Sequence, residues 1–440
     1  MKKHPHLSRL FIGCALAMST QAMGAGFTQT QGALSTLGQV SHPGTILSLK
    51  NNPAAGELLI GLDESVRLGF AAIGYQAEFG AIDNFLEDAE DLADAMEDDD
   101  LDLGQALDLK EDFDALLPQL GQDGRLTQQG SFQLLPVAFR SETLGGVITM
   151  DLGFNGQLDA RFLDDPLDIR VINEQVNLIT SSSIYVKSAA IATASIGYSR
   201  EVWQSSESDN KLYAGASVNF HTIGLNKQLL ALQNLIDGED IESAIEDEFD
   251  QNSETTSAVG IDLGLLYTTP NAQIGISILN ANEPKADYGT IGVDCMQFSD
   301  NAARQSNCII AQQTFSDRIA LTETAVLTAK TVVEGAFYTE DKAWAIAASA
   351  DVNSTYDLVG RESQYVNVSA SYSSDGYILP SIRFGASKNL VGSELTTVSA
   401  GATFFGMLNF DLNVSLERVE VDGTEVPRVF GFSLGLEEKF

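Results

Sequence analysis

The chain has 440 residues, 44% of them hydrophobic and 20% charged, enough apolar material for one large domain or two ordinary ones. Against 61 acidic residues stand 25 basic ones, and the formal charge of −36 repels nucleic-acid phosphates, which excludes polyanion binding. The apolar content likewise excludes a disordered polymer.

Lys2, Lys3 and Arg9 precede the apolar stretch Leu10 to Met18, and Ala22-Met23-Gly24 supplies small residues for cleavage. Residues 1–24 are therefore expected to be an export signal peptide, with the mature chain starting at Ala25. Losing Lys2, Lys3 and Arg9 takes the formal charge from −36 to −39. After the signal, no segment reaches the roughly 18 to 20 unbroken apolar residues that a membrane helix requires. A soluble exported protein or a closed barrel remains, because in lipid only helices and closed sheets satisfy their own backbone.

Residues 25–60 are broken by Gly32, Gly38, Pro43 and Gly44 and then carry Asn51-Asn52-Pro53-Ala54-Ala55-Gly56. This segment is too polar to face lipid and is expected to plug the lumen, because side chains alone do not fill a barrel of about fourteen strands. Residues 61–440 are expected to form the barrel itself.

The strand signal is a period of two. Leu408, Phe410, Leu412, Val414 and Leu416 share one face, and Asn409, Asp411, Asn413 and Ser415 the other. Ile148 to Phe154, Leu212 to Phe220 and Val366 to Tyr372 repeat the pattern. The spacing predicts strands over 66–79, 131–140, 145–160, 183–203, 211–225, 256–269, 272–280, 322–338, 342–352, 363–373, 379–389, 395–405, 407–418 and 428–440. Tight turns such as Thr269-Pro270-Asn271 and Ser374-Asp375-Gly376 alternate with long insertions over 80–130, 161–182, 226–255, 281–321, 353–362 and 419–427. Outer-membrane barrels have that asymmetry, with short periplasmic turns and longer outer loops. The fold class is thus all-β: a transmembrane antiparallel β-barrel of about fourteen strands, with an N-terminal plug and helical outer loops.

Two insertions are acidic and helical in spacing. In Ile82 to Leu117 the residues Phe85, Leu86, Ala89, Leu92, Ala93 and Met96 fall on one stripe, and Leu229 to Phe249 reads similarly. Both are expected to cap or enter the barrel mouth. Asp98, Asp99, Asp100 and Asp102 lack the spacing of a calcium loop, so no metal and no cofactor is expected. Cys14 leaves with the signal, and Cys295 and Cys308 are expected to pair in an oxidising compartment. Mature histidines number two, His42 and His221. His221 with Ser195 or Ser217 is the nearest approach to a catalytic pair, and no nucleophile motif surrounds it, so an enzyme is not expected.

In the last strand Phe430, Phe432, Leu434, Leu436 and Phe440 share one face, an ending that resembles the C-terminal signal by which bacterial outer-membrane barrels are recognised for insertion. Asn52, Pro53 and Ala54 resemble the Asn-Pro-Ala motif in the N-terminal hatch of the FadL-like, TodX-type family of outer-membrane channels. The overall pattern is closest to the TraF-like conjugal transfer branch of that superfamily. The thioredoxin-like periplasmic TraF is a different protein, for no Cys-x-x-Cys occurs here. The resemblance implies passive uptake of hydrophobic small molecules through a largely apolar lumen pocket. It also implies a place in the Gram-negative outer membrane, with lipid and the barrel assembly machinery as partners and a monomeric state. The alternative is an envelope protein of conjugal transfer or cell-surface interaction that transports nothing. Of the motif, Asn52 is expected to hydrogen-bond the surrounding strand backbone while Pro53 fixes the turn.

Overall fold

Alternation along a strand sends one row of side chains outward and the next inward, and a sheet that closes on itself leaves no edge unpaired. The computed structural model describes residues 32–60, 65–84, 88, 91–92, 96, 101–172, 175–236, 252–373, 380–421 and 423–439. The signal segment 1–24, Phe440, Ser374-Asp375-Gly376, Asp98 to Asp100, Phe85, Leu86, Ala89, Ala93 and residues 237–251 lie outside the described residues.

Fourteen antiparallel strands close into a barrel in which each strand pairs with its neighbours in the chain and the last pairs with the first. They are β1 Val66–Phe79, β2 Arg125–Ser141, β3 Gly146–Leu163, β4 Ser183–Gln204, β5 Lys211–Ala231, β6 Glu254–Thr268 and β7 Ala272–Leu279. The second half comprises β8 Lys330–Tyr338, β9 Trp344–Asp351, β10 Tyr365–Tyr372, β11 Ser381–Asn389, β12 Thr396–Phe404, β13 Leu408–Ser415 and β14 Val429–Lys439. The order read from the sequence holds strand for strand. Three boundaries differ by more than three residues: β2 starts at Arg125, β5 runs on to Ala231, and β8 starts at Lys330. The extended residues Thr324–Val326 pair instead with Lys285–Asp287 in a separate ribbon.

The two faces are unambiguous. On β13, Leu408, Phe410 and Leu412 are 39%, 39% and 41% exposed, whereas Asn409 and Asp411 are 3% and 0%. Apolar residues at the surface and polar ones inside invert the rule for a soluble protein and match a barrel bathed in lipid. Trp203 and Trp344, the two tryptophans of the sequence, stand at the short-turn end. Trp344 lies 5.0 Å from the Tyr372 ring, centroid to centroid, as in the aromatic girdle of a membrane interface. Pro136, which has no N–H for the ladder, sits where the β2 register shifts between Leu134 and Val137, the place a sheet tolerates proline.

β4 and β5 have 22 and 21 residues, about twice what a tilted strand needs to span a bilayer, and their far halves rise beyond it on the long-loop side. Helix α1, Leu103–Asp123, is closed by a capping box between Asp102 and Gln105, both bonds 2.9 Å. Its buried Phe113, Leu117 and Leu120 pack with Leu92, Leu126, Leu158, Phe162, Ile184 and Val186. Along β3 and β4 those partners fall on the outward parity, so α1 covers the outside of the raised wall. It does not enter the mouth, because the apolar outer row of β2 to β4 continues above the membrane and needs cover.

The mouth is filled by the insertion between β7 and β8. Its Tyr288, Ala325 and Leu327 pack with Leu358 and with the inward Ile191, Ile223 and Leu225, and its Ile291, Phe315 and Ile319 pack on Tyr185 and Leu229. Lys187 pairs with Glu323 at 2.6 Å and stacks 4.6 Å from the Tyr288 ring centroid. The Tyr288 hydroxyl donates to Leu358 O, and burial pushes its pKa well above the ordinary value. Cys295 and Cys308 are bonded, Cα to Cα 5.5 Å, tying a short 3-10 turn to helix α2, Ala302–Gln313.

Candidate functional site: the filled lumen and its cavity

Residues 32–60 run inside the barrel as short helical turns joined by bends. Thr45 caps the turn Ile46–Lys50 and Asn52 caps Pro53–Ala55. Proline suits the first position of such a turn, where its missing N–H has no partner to lose. The segment is held by lumenal carboxylates, which must be paired to be buried at tolerable cost. Glu334 of β8 accepts the Ser41 N–H, the Ser41 hydroxyl at 2.7 Å and the Asn52 amide at 2.9 Å. Glu437 of β14 accepts the Thr45 hydroxyl and the Ile46 N–H, both at 2.6 Å. Asp411 of β13 accepts the Thr36 hydroxyl at 2.6 Å while Arg383 forks onto both of its oxygens. Asp351 takes the Gln39 amide at 2.7 Å and the Lys330 ammonium at 3.0 Å.

Asn52 also donates to Leu265 O on β6 at 3.2 Å and accepts the Ala54 N–H at 3.0 Å. The Asn52-Pro53-Ala54 turn therefore touches β5 and β6 through backbone, and two glycines make room for it. A Cβ on Gly215 would collide with the Pro53 carbonyl and the Ala54 nitrogen, and one on Gly264 with Asn52 Oδ1. Gly215→Val is expected to push the turn off the wall at about 1 to 3 kcal/mol, the usual cost of overpacking. Faster tryptic cleavage after Lys50 in the folded barrel checks this; cleavage at the wild-type rate contradicts it.

Between this segment and the cap lies a cavity of about 180 Å³. Ile191 and Leu327 belong both to its wall and to the apolar cap. Leu34, Leu49, Pro53 and Leu279 add carbon surface, but most lining residues are polar: Lys50, Asp151, Asn155, Thr193, Ser217, Asn219, His221 and Asp262 among them. Their stems and methyl groups leave the exposed wall mostly carbon all the same, as the FadL resemblance implies, with the polar atoms set into it. Most inward positions around the cavity are polar, and apolar carbon comes from the plug, from Leu279 and Leu327, and from the inward Ile191. Asp262 is fully engaged, accepting from Ser217 at 3.1 Å, Asn219 at 2.6 Å and the Asn280 N–H at 2.7 Å. His221 pairs through Nδ1 with Thr193 at 2.9 Å, so its partner is neither Ser195 nor Ser217. His42 contacts Ser371 at 3.2 Å.

Phe430, Phe432, Leu434 and Leu436 stand in register on the outward row of β14, while Ser433 and Glu437 point inward. Cys295 and Cys308 lie in the cap, away from the cavity. Sequence reasoning named none of Glu334, Glu437 or Asp351, and listed Asp411 as one more polar position. The available signal was a carboxylate at an inward position in mid-strand, as Glu334 is between Val333 and Gly335.

A closed ring with an apolar outer face, a polar inner face and a chain segment held within it defines a plugged transmembrane β-barrel. The chain belongs to the family described as "F plasmid transfer operon, TraF, protein", whose model matches residues 50–351. No curated protein matches the sequence. Among solved structures, the chain is similar to the TodX deltaS2S3 mutant monoaromatic hydrocarbon channel, 13% identical, with a TM-score of 0.46 and 95% of this chain and 99% of that one covered. It is similar to the Ralstonia pickettii toluene transporter TbuX at 12% identity, TM-score 0.43, covering 94% and 98%. It is also similar to a Pseudomonas aeruginosa FadL homologue at 10% identity, TM-score 0.36, covering 94% and 98%.

Proposed function

We propose that the chain is an outer-membrane channel for passive uptake of hydrophobic small molecules, exported by a signal over residues 1–24 and gated by residues 25–60. The observation that carries this reading is the lumenal cavity, bounded on one side by an apolar cap and on the other by a segment held through hydrogen bonds and ion pairs. Such contacts break and re-form without covalent change, so a concentration gradient suffices to drive passage. The formal charge of −36 favours neutral solutes over carboxylates near the mouth, and salt weakens that preference. The role is non-enzymatic.

The test is uptake of a labelled hydrophobic compound into liposomes that carry the purified protein, with and without residues 26–60. Uptake faster than in protein-free liposomes, and faster again after the deletion, is expected. A rate equal to the protein-free rate in both overturns the reading. The family description favours a second reading, an envelope role in conjugal transfer without transport. It expects mating to fail when the outer insertions are removed, and unchanged mating rejects it.

A further inference from the structure

A second cavity, of about 70 Å³, lies on the other side of the lumenal segment. The short helix Leu34–Leu37 divides the two: Leu34 lines the larger cavity, Ser35 and Thr36 line this one, and Gln39 reaches both. Its wall is built on β10 to β13 and β1, where Asn367, Ser387, Thr397, Ser399, Asn413 and Gln76 occupy inward positions. The strand registers set them side by side, Ser387 opposite both Asn367 and Thr397, and Ser399 opposite Asn413. Directly opposed side chains start about 5 Å apart, so the wall is a grid of hydroxyls and amides at that spacing. Ser387, Thr397 and Ser399 keep accessible surface, and no hydrogen bond ties their hydroxyls to another described residue. The bond from Asn413 to Gln76 is long, 3.4 Å. Glu78, the charged residue in this wall, is paired with Arg361 at 3.4 Å. Leu395 and Val429 add carbon at the long-loop end.

We propose that this second cavity binds a small neutral diol, ethane-1,2-diol being the simplest, through the hydroxyls of Ser387, Thr397 and Ser399. A void of about 150 Å³ accepts benzene with its six carbons; in proportion, the 70 Å³ here hold about three or four heavy atoms, the size of this diol. With Glu78 matched by Arg361, the wall carries no unpaired charge to attract an ion, and the guest is neutral. A hydroxyl donates once and accepts twice. The two at the ends of the short chain therefore satisfy hydroxyls on adjacent strands, while the carbons between them rest toward Leu395 and Val429. Water fills the same space but brings no carbon to that edge. The assignment does not rest on the channel reading, since a bound diol is measured whether or not it crosses the barrel.

The experiment is saturation-transfer NMR on the full-length protein in a detergent without sugar head groups, with protein-free micelles subtracted. Ethane-1,2-diol and propan-1-ol, which differ by hydroxyl for methyl, are titrated in turn. The diol is expected to bind saturably and about 5-fold tighter than the alcohol, the scale of one net hydrogen bond. Thr397→Val keeps the branched shape and Ser399→Ala removes only the oxygen. Each is expected to weaken the diol about 3-fold or more and to leave propan-1-ol unchanged or tighter. Ser387→Leu fills the space and is expected to abolish diol binding. Val398→Ala, on the outward row between the two hydroxyls and 37% exposed, is expected to bind the diol as the wild type does. Heat-dependent migration on a denaturing gel shows that each variant has folded. A diol signal that never saturates means water alone in the cavity and overturns the assignment. So does propan-1-ol binding as tightly as the diol, or Thr397→Val and Ser399→Ala both binding the diol at wild-type strength, and neither of these comparisons needs the filled variant to fold.

Discussion

Glu334→Ala is expected to free the lumenal segment while leaving the barrel closed. The carboxylate gathers the Ser41 N–H, the Ser41 hydroxyl and the Asn52 amide at one point of β8. Truncation strands three buried donors and leaves a void. Breaking one side of such a buried, hydrogen-bonded charge site costs about 3 to 5 kcal/mol. Asn52 keeps its bond to Leu265 O, and Glu437, Asp411 and Asp351 keep theirs, so the low end of that range is the better expectation. At about 3 kcal/mol the displaced population rises roughly 100-fold. Two measurements read it: trypsin cleavage after Lys50 and single-channel conductance in planar bilayers, both expected to rise steeply. Glu334→Gln preserves shape and one acceptor oxygen and is expected to fall between. Val333→Ala, one residue along on the outward row and 40% exposed, is expected to leave both unchanged. Equal protease resistance of Glu334→Ala and the wild type would show that the plug is held elsewhere.

The barrel was legible because its physics is local. Each strand carries its own alternation, and each turn its own Gly, Asn or Pro, so β13 or β10 can be read without knowing what it pairs with. Where the boundaries slipped, a second local preference was satisfied: Thr324–Val326 is extended as its residues favour, but in a ribbon with Lys285–Asp287, while the barrel wall starts again at Lys330. Helix α2 was not legible at all. Its buried face consists of Arg304, Asn307, Cys308 and Ala311, which leaves no apolar stripe for a helical period to reveal. Along α1, Pro118 argues for a stop that the helix passes over, because Leu117 and Leu120 on either side of it are buried against the raised wall.

The site was less legible for a different reason. Thr36 meets Asp411 across 375 positions of sequence, Thr45 meets Glu437 across 392, and Ser41 meets Glu334 across 293. No spacing rule connects such residues; closure of the barrel does. The turn Asn52-Pro53-Ala54 was visible because its cap is internal, Asn52 bonding Ala54 two residues on. Its docking on Gly215 and Gly264 was not, since a glycine on an inward row has no apolarity to notice. Cavity chemistry follows the same divide: the inward polar rows were read from alternation, but that His221, Lys50 and Asp151 front one space depends on the plug's path.

Leu412→Arg separates a membrane barrel from any soluble closed sheet. Leu412 stands in the middle of β13, 41% exposed, opposite Ala400 on β12 and Phe432 on β14. In water an exposed leucine exchanged for arginine on a strand surface changes stability by about 0.5 kcal/mol or less. At the midplane of a bilayer the same exchange costs about 2 to 4 kcal/mol, because the guanidinium must be dehydrated or drag water and headgroups inward. Asn413, the next residue, faces the lumen and makes only a long 3.4 Å bond to Gln76, so Asn413→Ser is expected to cost about 1 kcal/mol or less. Reversible unfolding in lipid vesicles, followed by denaturant titration, measures both. A large loss for the outward arginine with a small one for the inward serine is the expected order. Near-equal small losses, in a protein that stays dispersed without detergent, would mean that the outward row never meets lipid. The apolar face of β13 would then have to be buried against another protein surface.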